Sequence, residues 1–406
     1  MASGITLISQ PTDFGYLPAY NPNWLYASSS NFAAANFVFR CIFEDVLSGE
    51  TWTEDIEPNP DNKLLIDIAS YAASHMINYL PINSYGWKKC AGASRKIRYN
   101  VGEFYGSTPA YTAGTDRYYI AWNAGIDLID ERDYSAATYV YDSTTPNAIY
   151  LTNSLTQRVF EDRSNLLYIL IQEGNLADVP DFEINTYLAD GTLVNSSTIA
   201  RPDFSTGLYT DQYVCIDLGM KGLDGLIAGQ VSGSFPVLAG TEAYYTVTDN
   251  TDALNPVVIK RFDISCQPKF TVYTLHYLKA NGSYESLHFE LNSKESFTAS
   301  QTTFKKNPYT LISNVMSLDP SIDFEKSQGV TIQTKLNLLT DWLTQSEMEL
   351  HADLFTSTDI KLDLGSSQGY IKVICETGGY VPRDYDLLRQ IAIEVSYGHQ
   401  NHRQRG

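Results

Sequence analysis

The chain has 406 residues, 43% apolar and 18% charged, a composition that fills real cores and excludes a disordered chain. It is too long for one ordinary all-β domain, so two or three domains are expected. With 47 acidic residues against 28 basic ones the formal net charge is -19, which repels phosphate and argues against a nucleic-acid or anionic-membrane binder.

Strand signals dominate from the start. The short aromatic run Phe37–Phe43, then Ser48-Gly49, then the alternating Glu50–Ile56 predict a hairpin. Asp67–Tyr79 predicts one short helix ahead of Pro81. Asp142-Ser-Thr-Thr-Pro-Asn147 punctuates the chain. Phe182–Leu188, Ala189-Asp190-Gly191 and Thr192–Val194 then predict a second hairpin. Gly219 to Gly240, rich in glycine and small residues, reads as loops around a short apolar strand. A second break near Cys266-Gln-Pro268 precedes a third hairpin, Phe270–Leu278 with a turn at Asn281-Gly282 and Tyr284–Phe289.

The best helix signal is Leu339–Phe355. Thr344 and Glu347 form a capping-box pattern, and Met348, Ala352 and Phe355 make a stripe expected to pack in a core, with Leu350 and Leu354 beside it. The basic tail His399–Gly406 is expected to be mobile, or ordered only against a neighbour. The fold expected is mainly β, with two or three β-sandwich-like domains and few short helices. Domains are placed at 1–145, 146–268 and 269–406, the last with a helix near 341–355.

Other features narrow the setting. The opening MASGITLISQP lacks the basic region and apolar run of a secretory signal, and no stretch reaches the ~18 apolar residues that span a bilayer. Synthesis in a cytoplasm and no membrane insertion are therefore expected. Cys41, Cys90, Cys215, Cys266 and Cys375 are scattered and odd in number, so they read as reduced, mostly buried thiols. Tyrosine is abundant, at 29 residues beside 17 Phe and 5 Trp, and an excess of this size points to strand packing and contact with other subunits.

Motifs that would carry chemistry are missing. There is no G-x-S-x-G elbow, no P-loop and no H-E-x-x-H. His399 and His402 lie in the basic tail and read as solvated. His276 and His288 flank the third hairpin and are expected at a core edge rather than on zinc, because no cysteine or carboxylate pattern completes a ligand set. The cluster Asp127, Asp130 and Glu131 is interleaved with Arg132 and reads as a solvated ion-pair group. Asp249, Asn250, Asp252 and Asn255 lack the spacing and closing glutamate of an EF-hand and read as a surface loop. No catalytic residue, metal site or cofactor is assigned, and no enzyme activity is expected.

Several stretches, in order along most of the chain, resemble virion proteins of tailed phages that infect Bacteroidetes, crAss-like phages among them. They are Ile5–Pro11 running into Phe14, Pro18–Pro22, Ser28–Asn31 and Asn36–Phe39; then Arg98–Tyr105 and Trp122–Ala124; then Tyr273–Leu278 with Asn281–Phe289. The last are Asp341–Thr344, Glu347, Leu354 and Ser357, followed by Tyr370–Val373 and Ile391–Ser396. The chain departs from the pattern in having no second glycine beside Gly282 and a lysine, Lys372, where a proline is usual. The resemblance implies a tail or neck component of the virion in several copies, and it carries no catalytic residues. Expected partners are copies of itself and other phage tail or neck proteins. The chain is expected near passing DNA without sequence-specific nucleic-acid binding. The alternative expectation is a receptor- or glycan-binding tail module, in which exposed aromatics stack on sugar rings.

Overall fold

Alternation builds the first layer. From Val38 to Asp45 every second side chain is buried: Phe39, Cys41, Phe43 and Asp45 point inward, while Val38, Arg40, Ile42 and Glu44 are half-buried. This strand pairs antiparallel with Thr51–Ile56, from Phe39 opposite Ile56 to Glu44 opposite Thr51, through a turn in which Gly49 takes φ 69°. The predicted first hairpin is present.

These features come from a computed structural model that describes residues 4–11, 13, 15–81, 86–108, 110–126, 139–141, 151, 156–171, 181–199, 213–226, 231–232, 241–250, 256–265, 268–305, 309–312, 315–318, 325–365, 369–377, 388–397 and 401–403. The chain is mainly β, 55% strand against 7% helix among the described residues, as the sequence pattern predicts. It divides into two compact units. One is Met1–Gln267 with Tyr277–Ser286, and the other is Pro268–His276 with Leu287–Gly406. The boundary expected at 145/146 falls outside the described residues, and the one at 268/269 lies one residue from the division at Gln267/Pro268.

The first unit holds two pairs of sheets, each pair closed over its own core. In the first pair, the strands run in the order Gly15–Pro18, Arg117–Trp122, Ser94–Tyr105, Val38–Asp45, Thr51–Ile56, with Ala110–Thr112 also on Ser94–Tyr105. They face a three-stranded sheet of Ile5–Ser9, Trp24–Ser29 and Lys63–Asp67. Leu25, Ala27, Leu64 and Ile66 from the small sheet meet Phe39, Phe43, Ile97, Tyr99 and Tyr119 from the large one. In the second pair, Val140–Tyr141, Leu166–Ile171, Tyr213–Asp217 and Lys88–Lys89 form one sheet. The other runs Thr156–Val159, Val257–Ile264, Tyr244–Asp249, Phe182–Tyr187, Leu193–Ile199, Val231–Ser232. Leu166–Ile171 is buried at every position, which explains why its sequence is a continuous apolar run without alternation. The second predicted hairpin is the pair Phe182–Tyr187 and Leu193–Ile199.

The second unit holds most of a sheet with the order Tyr284–Phe289, Tyr273–Leu278, Ile360–Asp363, Tyr370–Cys375, Ala392–Tyr397, Glu325–Leu339, Lys294–Lys305. The third predicted hairpin supplies its first two strands, and the end of that hairpin, Tyr277–Ser286 with Gly282 at φ 83° in the turn, is counted with the first unit. Lys372, the other departure, sits inside a strand opposite Lys361. Leu336, Leu338, Ile360, Leu362, Val373, Ile393 and Val395 are buried in this unit.

Four local expectations are corrected. The region 339–355 is not one helix. A strand ends at Leu339, and two short helices follow, Gln345–Leu350 and Asp353–Thr356. The capping box of Thr344 and Glu347 is present, but the helix breaks at His351, where φ is -100° and ψ 11°. The break rotates the second helix, so Met348, His351 and Leu354 are buried while Ala352 is exposed and Phe355 half-buried. The Gly219–Gly240 region is not loops and a strand alone: Met220–Asp224 is a helical turn, begun where Gly219 gives its N–H to Asp217. In the tail, Asn401–Arg403 pairs antiparallel with Val330–Ile332 of the same chain. The helix predicted over Asp67–Tyr79 is shorter, Ala69–Ala73, with the Ala69 N–H capped by Asp67 at 3.0 Å.

Candidate interaction site

Of the polar residues singled out in the sequence, His276 and His288 are buried and locally partnered. His276 is fully buried, with Nε2 3.8 Å from Asp363 Oδ2 and its ring edge-on to Tyr370 at 5.0 Å. His288 Nδ1 lies 2.8 Å from Thr274 Oγ1 across the hairpin. The two histidines thus serve separate contacts inside one unit. Among the described residues no group of three His, Cys, Asp or Glu is arranged to hold a metal ion. Asp127, Asp130, Glu131, Arg132, Asp252, Asn255 and His399 lie outside the described residues. Asp249 accepts from the Tyr141 hydroxyl at 3.2 Å, and the Asn250 N–H donates to the Asp181 carbonyl at 2.8 Å, so this pair ties strands together. His402 lies in the tail strand.

Four of the five cysteines lie among the described residues. Cys41, Cys90 and Cys215 are buried free thiols and Cys375 is a half-buried one, while Cys266 is outside the described residues. Burial pushes the Cys41 thiol up to about 12, with Glu54 and Asp55 adding to the shift, so it has no thiolate character near neutral pH.

One ionic group was not signalled by any motif. In the first unit Lys260 Nζ is 3.5 Å from Glu285 Oε1, and Lys279 Nζ is 3.9 Å from Glu285 Oε2. All three side chains are at most 3% exposed. Charges so enclosed are costly to desolvate and offer no access to a substrate. The neighbouring contacts have the same anchoring character. Gln157 Nε2 donates to the Ser286 carbonyl at 2.6 Å, Ser283 Oγ to the Leu151 carbonyl at 2.8 Å, and the Gly125 N–H to the Ala280 carbonyl at 2.7 Å. The sequence signal was a lysine at a buried position of the mostly apolar strand Val257–Ile264.

What the molecule does expose is an arm. Lys294–Lys305 pairs antiparallel with Glu325–Leu339 over its whole length, from Lys294 opposite Asn337 to Lys305 opposite Glu325. Twelve residues at strand spacing reach about 40 Å. Every side chain described from Lys294 to Lys305 is exposed, so neither face of this strand is covered by a second layer. Phe297 is 77% exposed and Phe304 44%. A small hairpin between the two long strands, Tyr309–Ile312 with Val315–Leu318, exposes Tyr309, Val315, Met316 and Leu318. The Lys294–Lys305 strand is also the last in its sheet.

Clustered exposed apolar side chains mark a contact surface. Sequence reading missed the arm because its Ser/Thr-rich strand has no strong apolar face. The signal available was a run of nine uncharged residues, Ser296–Phe304, free of glycine and proline.

No protein-family model matches this sequence, and no curated protein matches it. Among solved structures the chain is similar to the FN1–FN3 domains of chicken CNTN1, at 9% identity and a TM-score of 0.18. The match covers 59% of this chain and 60% of that one, and a likeness of this size carries no functional argument. No helix among the described residues is long and apolar enough to cross a membrane.

Proposed function

We propose that this chain is a structural component of a bacteriophage virion, assembled as a homo-oligomer in the tail as a ring, hub or adaptor. The observation that carries the assembly reading is the exposed strand Lys294–Lys305, whose described side chains, Phe297 and Phe304 among them, have no covering layer. The virion setting is supported by the stretches that resemble tail and neck proteins, from Ile5–Pro11 to Ile391–Ser396. The net charge of -19 fits a surface beside a DNA path, because an acidic wall does not retain passing DNA. This reading includes no catalytic step.

The test is a reconstruction of the purified particle. It is expected to place several copies around the tail axis, with acidic side chains collected on solvent or lumen faces. One copy on the outer capsid, or a lumen wall lined by Lys and Arg of this chain, would overturn the proposal.

A second reading, a glycan-binding tail module, is favoured by Trp24 and Trp342, which are 55% and 57% exposed. Aromatic faces of this kind stack on sugar rings. Binding on a glycan array that is lost in Trp24→Ala or Trp342→Ala would support it over a purely structural role.

A further inference from the structure

We propose that the outer edge of the Lys294–Lys305 strand pairs antiparallel with the same strand of a second copy, about a two-fold axis at Ser300. This deepens the homo-oligomer reading, which rests on the same strand, and does not depend on the virion setting, since it concerns two copies of this chain alone.

The first ground is an edge without the usual guards. Exposed edge strands normally carry charges, proline or bulges that deter pairing. Other edges here do so: Thr51–Ile56 carries Glu54 and Asp55, and the pairing of Ile5–Ser9 is irregular between Leu7 and Ser9. Ser296–Phe304 has neither charge nor proline, and the irregularity at Thr302/Thr303 leaves its own residues in continuous register while Glu325–Leu339 carries the extra residue, Gln328.

The second ground is self-complementarity. With Ser300 opposite Ser300, Glu295 falls opposite Lys305 of the second copy, and the symmetry makes this ion pair twice. Phe297 then lies opposite Thr303, and Phe304 opposite Ser296. Cross-strand pairs of opposite charge, and of aromatic with β-branched residues, are the favourable ones. Moving the axis to Ala299 sets Glu295 opposite Thr303, and moving it to Gln301 sets Lys305 opposite Phe297, so either shift removes both ion pairs.

The third ground is long-range charge. Two copies of a chain at -19 repel each other over most of their surfaces. The strand itself carries Lys294, Lys305 and Glu295, two positive charges less one negative, for a net +1. It can approach its own kind without the acidic repulsion of the rest of the chain.

The contact is isologous and joins copies in pairs. It is tested on the full-length chain by sedimentation velocity over a concentration series, together with cysteine cross-linking. Wild type is expected to dimerise. Glu295→Lys and Lys305→Glu each place like charges opposite one another twice and are expected to weaken the dimer about tenfold. The double exchange restores the pair and the affinity.

Opposed strand residues on the axis have Cα atoms about 4.5–5.5 Å apart, within disulfide reach, so Ser300→Cys is expected to form an intermolecular disulfide under mild oxidation that wild type does not form. These positions are exposed, and an unchanged circular dichroism spectrum confirms that each variant folds. The proposal is overturned by a wild-type monomer at every concentration, by dimers in which Ser300→Cys fails to cross-link, by charge variants that the double exchange does not rescue, or by an arm that binds a different protein and never itself.

Discussion

A methyl group at Gly222 would stand 2.4 Å from the carboxylate carbon of Asp217, so the helical turn Met220–Asp224 closes over a carboxylate that only a glycine lets it approach. Asp217 Oδ1 accepts the N–H of Asn165 at 2.8 Å and of Gly219 at 3.0 Å. Burial raises its pKa from 3.8 to about 6, against the opposing pull of the Ser164 hydroxyl, these two N–H groups and Lys221.

A pH dependence follows from this pair. The folded chain holds the Asp217 proton to a higher pH than the unfolded chain does, so the native state binds more protons between pH 3.8 and about 6. Stability contributed by this group is therefore greatest below that window and is lost as pH rises through it, by roughly 3 kcal/mol in total. Urea unfolding of wild type and Asp217→Asn across this range is expected to show a smaller fall for the variant. Identical slopes in the two proteins would refute it.

Two turn glycines are expected to differ in a way that separates backbone strain from crowding. Gly282, at φ 83°, has the Asn123 carbonyl oxygen 1.9 Å from where a Cβ would stand, and both belong to the first unit. Gly49, at φ 69°, has nothing within 4 Å. Gly49→Ala is expected to cost about 1 kcal/mol from its left-handed backbone alone. Gly282→Ala adds displacement of a backbone carbonyl and is expected to cost about 2–4 kcal/mol. Thermal unfolding of the two variants checks the order, and equal losses would count against a crowded Gly282.

Thiol labelling reads the burial of the cysteines. Cys41, Cys90 and Cys215 are enclosed in cores, and burial raises the Cys41 pKa to about 12. In the native protein they are expected to resist alkylation, with Cys375 modified first among these four. In denaturant without reductant all of them are expected to react, as free thiols do. A mass showing two protected cysteines in denaturant would indicate a disulfide and contradict the reading.

The capping box isolates one local term. Thr344 Oγ1 accepts the Glu347 N–H at 3.3 Å, and Glu347 Oε2 accepts the Thr344 N–H at 2.7 Å. Thr344→Ala is expected to lower stability by about 1 kcal/mol, and Thr344→Ser to recover most of it. A Thr344→Ala variant that unfolds with the wild-type midpoint would show that this helix start adds nothing.

What the sequence determined by itself was local. The three hairpins were legible because a turn depends on a few adjacent residues: Gly49, Gly191 and Gly282 all take the positive φ that glycine adopts at low cost. The capping box was legible for the same reason, since both of its bonds lie within one helical turn. The alternation of Val38–Asp45 was blurred in sequence because its outer face is half-buried and also carries Val38 and Ile42.

Tertiary structure decided what depends on residues far apart in the chain. It joined Gly15–Pro18 parallel to Arg117–Trp122, and Thr156–Val159 parallel to Val257–Ile264. It brought Lys260 and Lys279 to Glu285, broke the predicted helix at His351, and left Lys294–Lys305 without a layer on either face. Backbone propensity cannot specify these outcomes, because whether a strand is covered, paired or left open is fixed by which distant segments compete for its faces and edges.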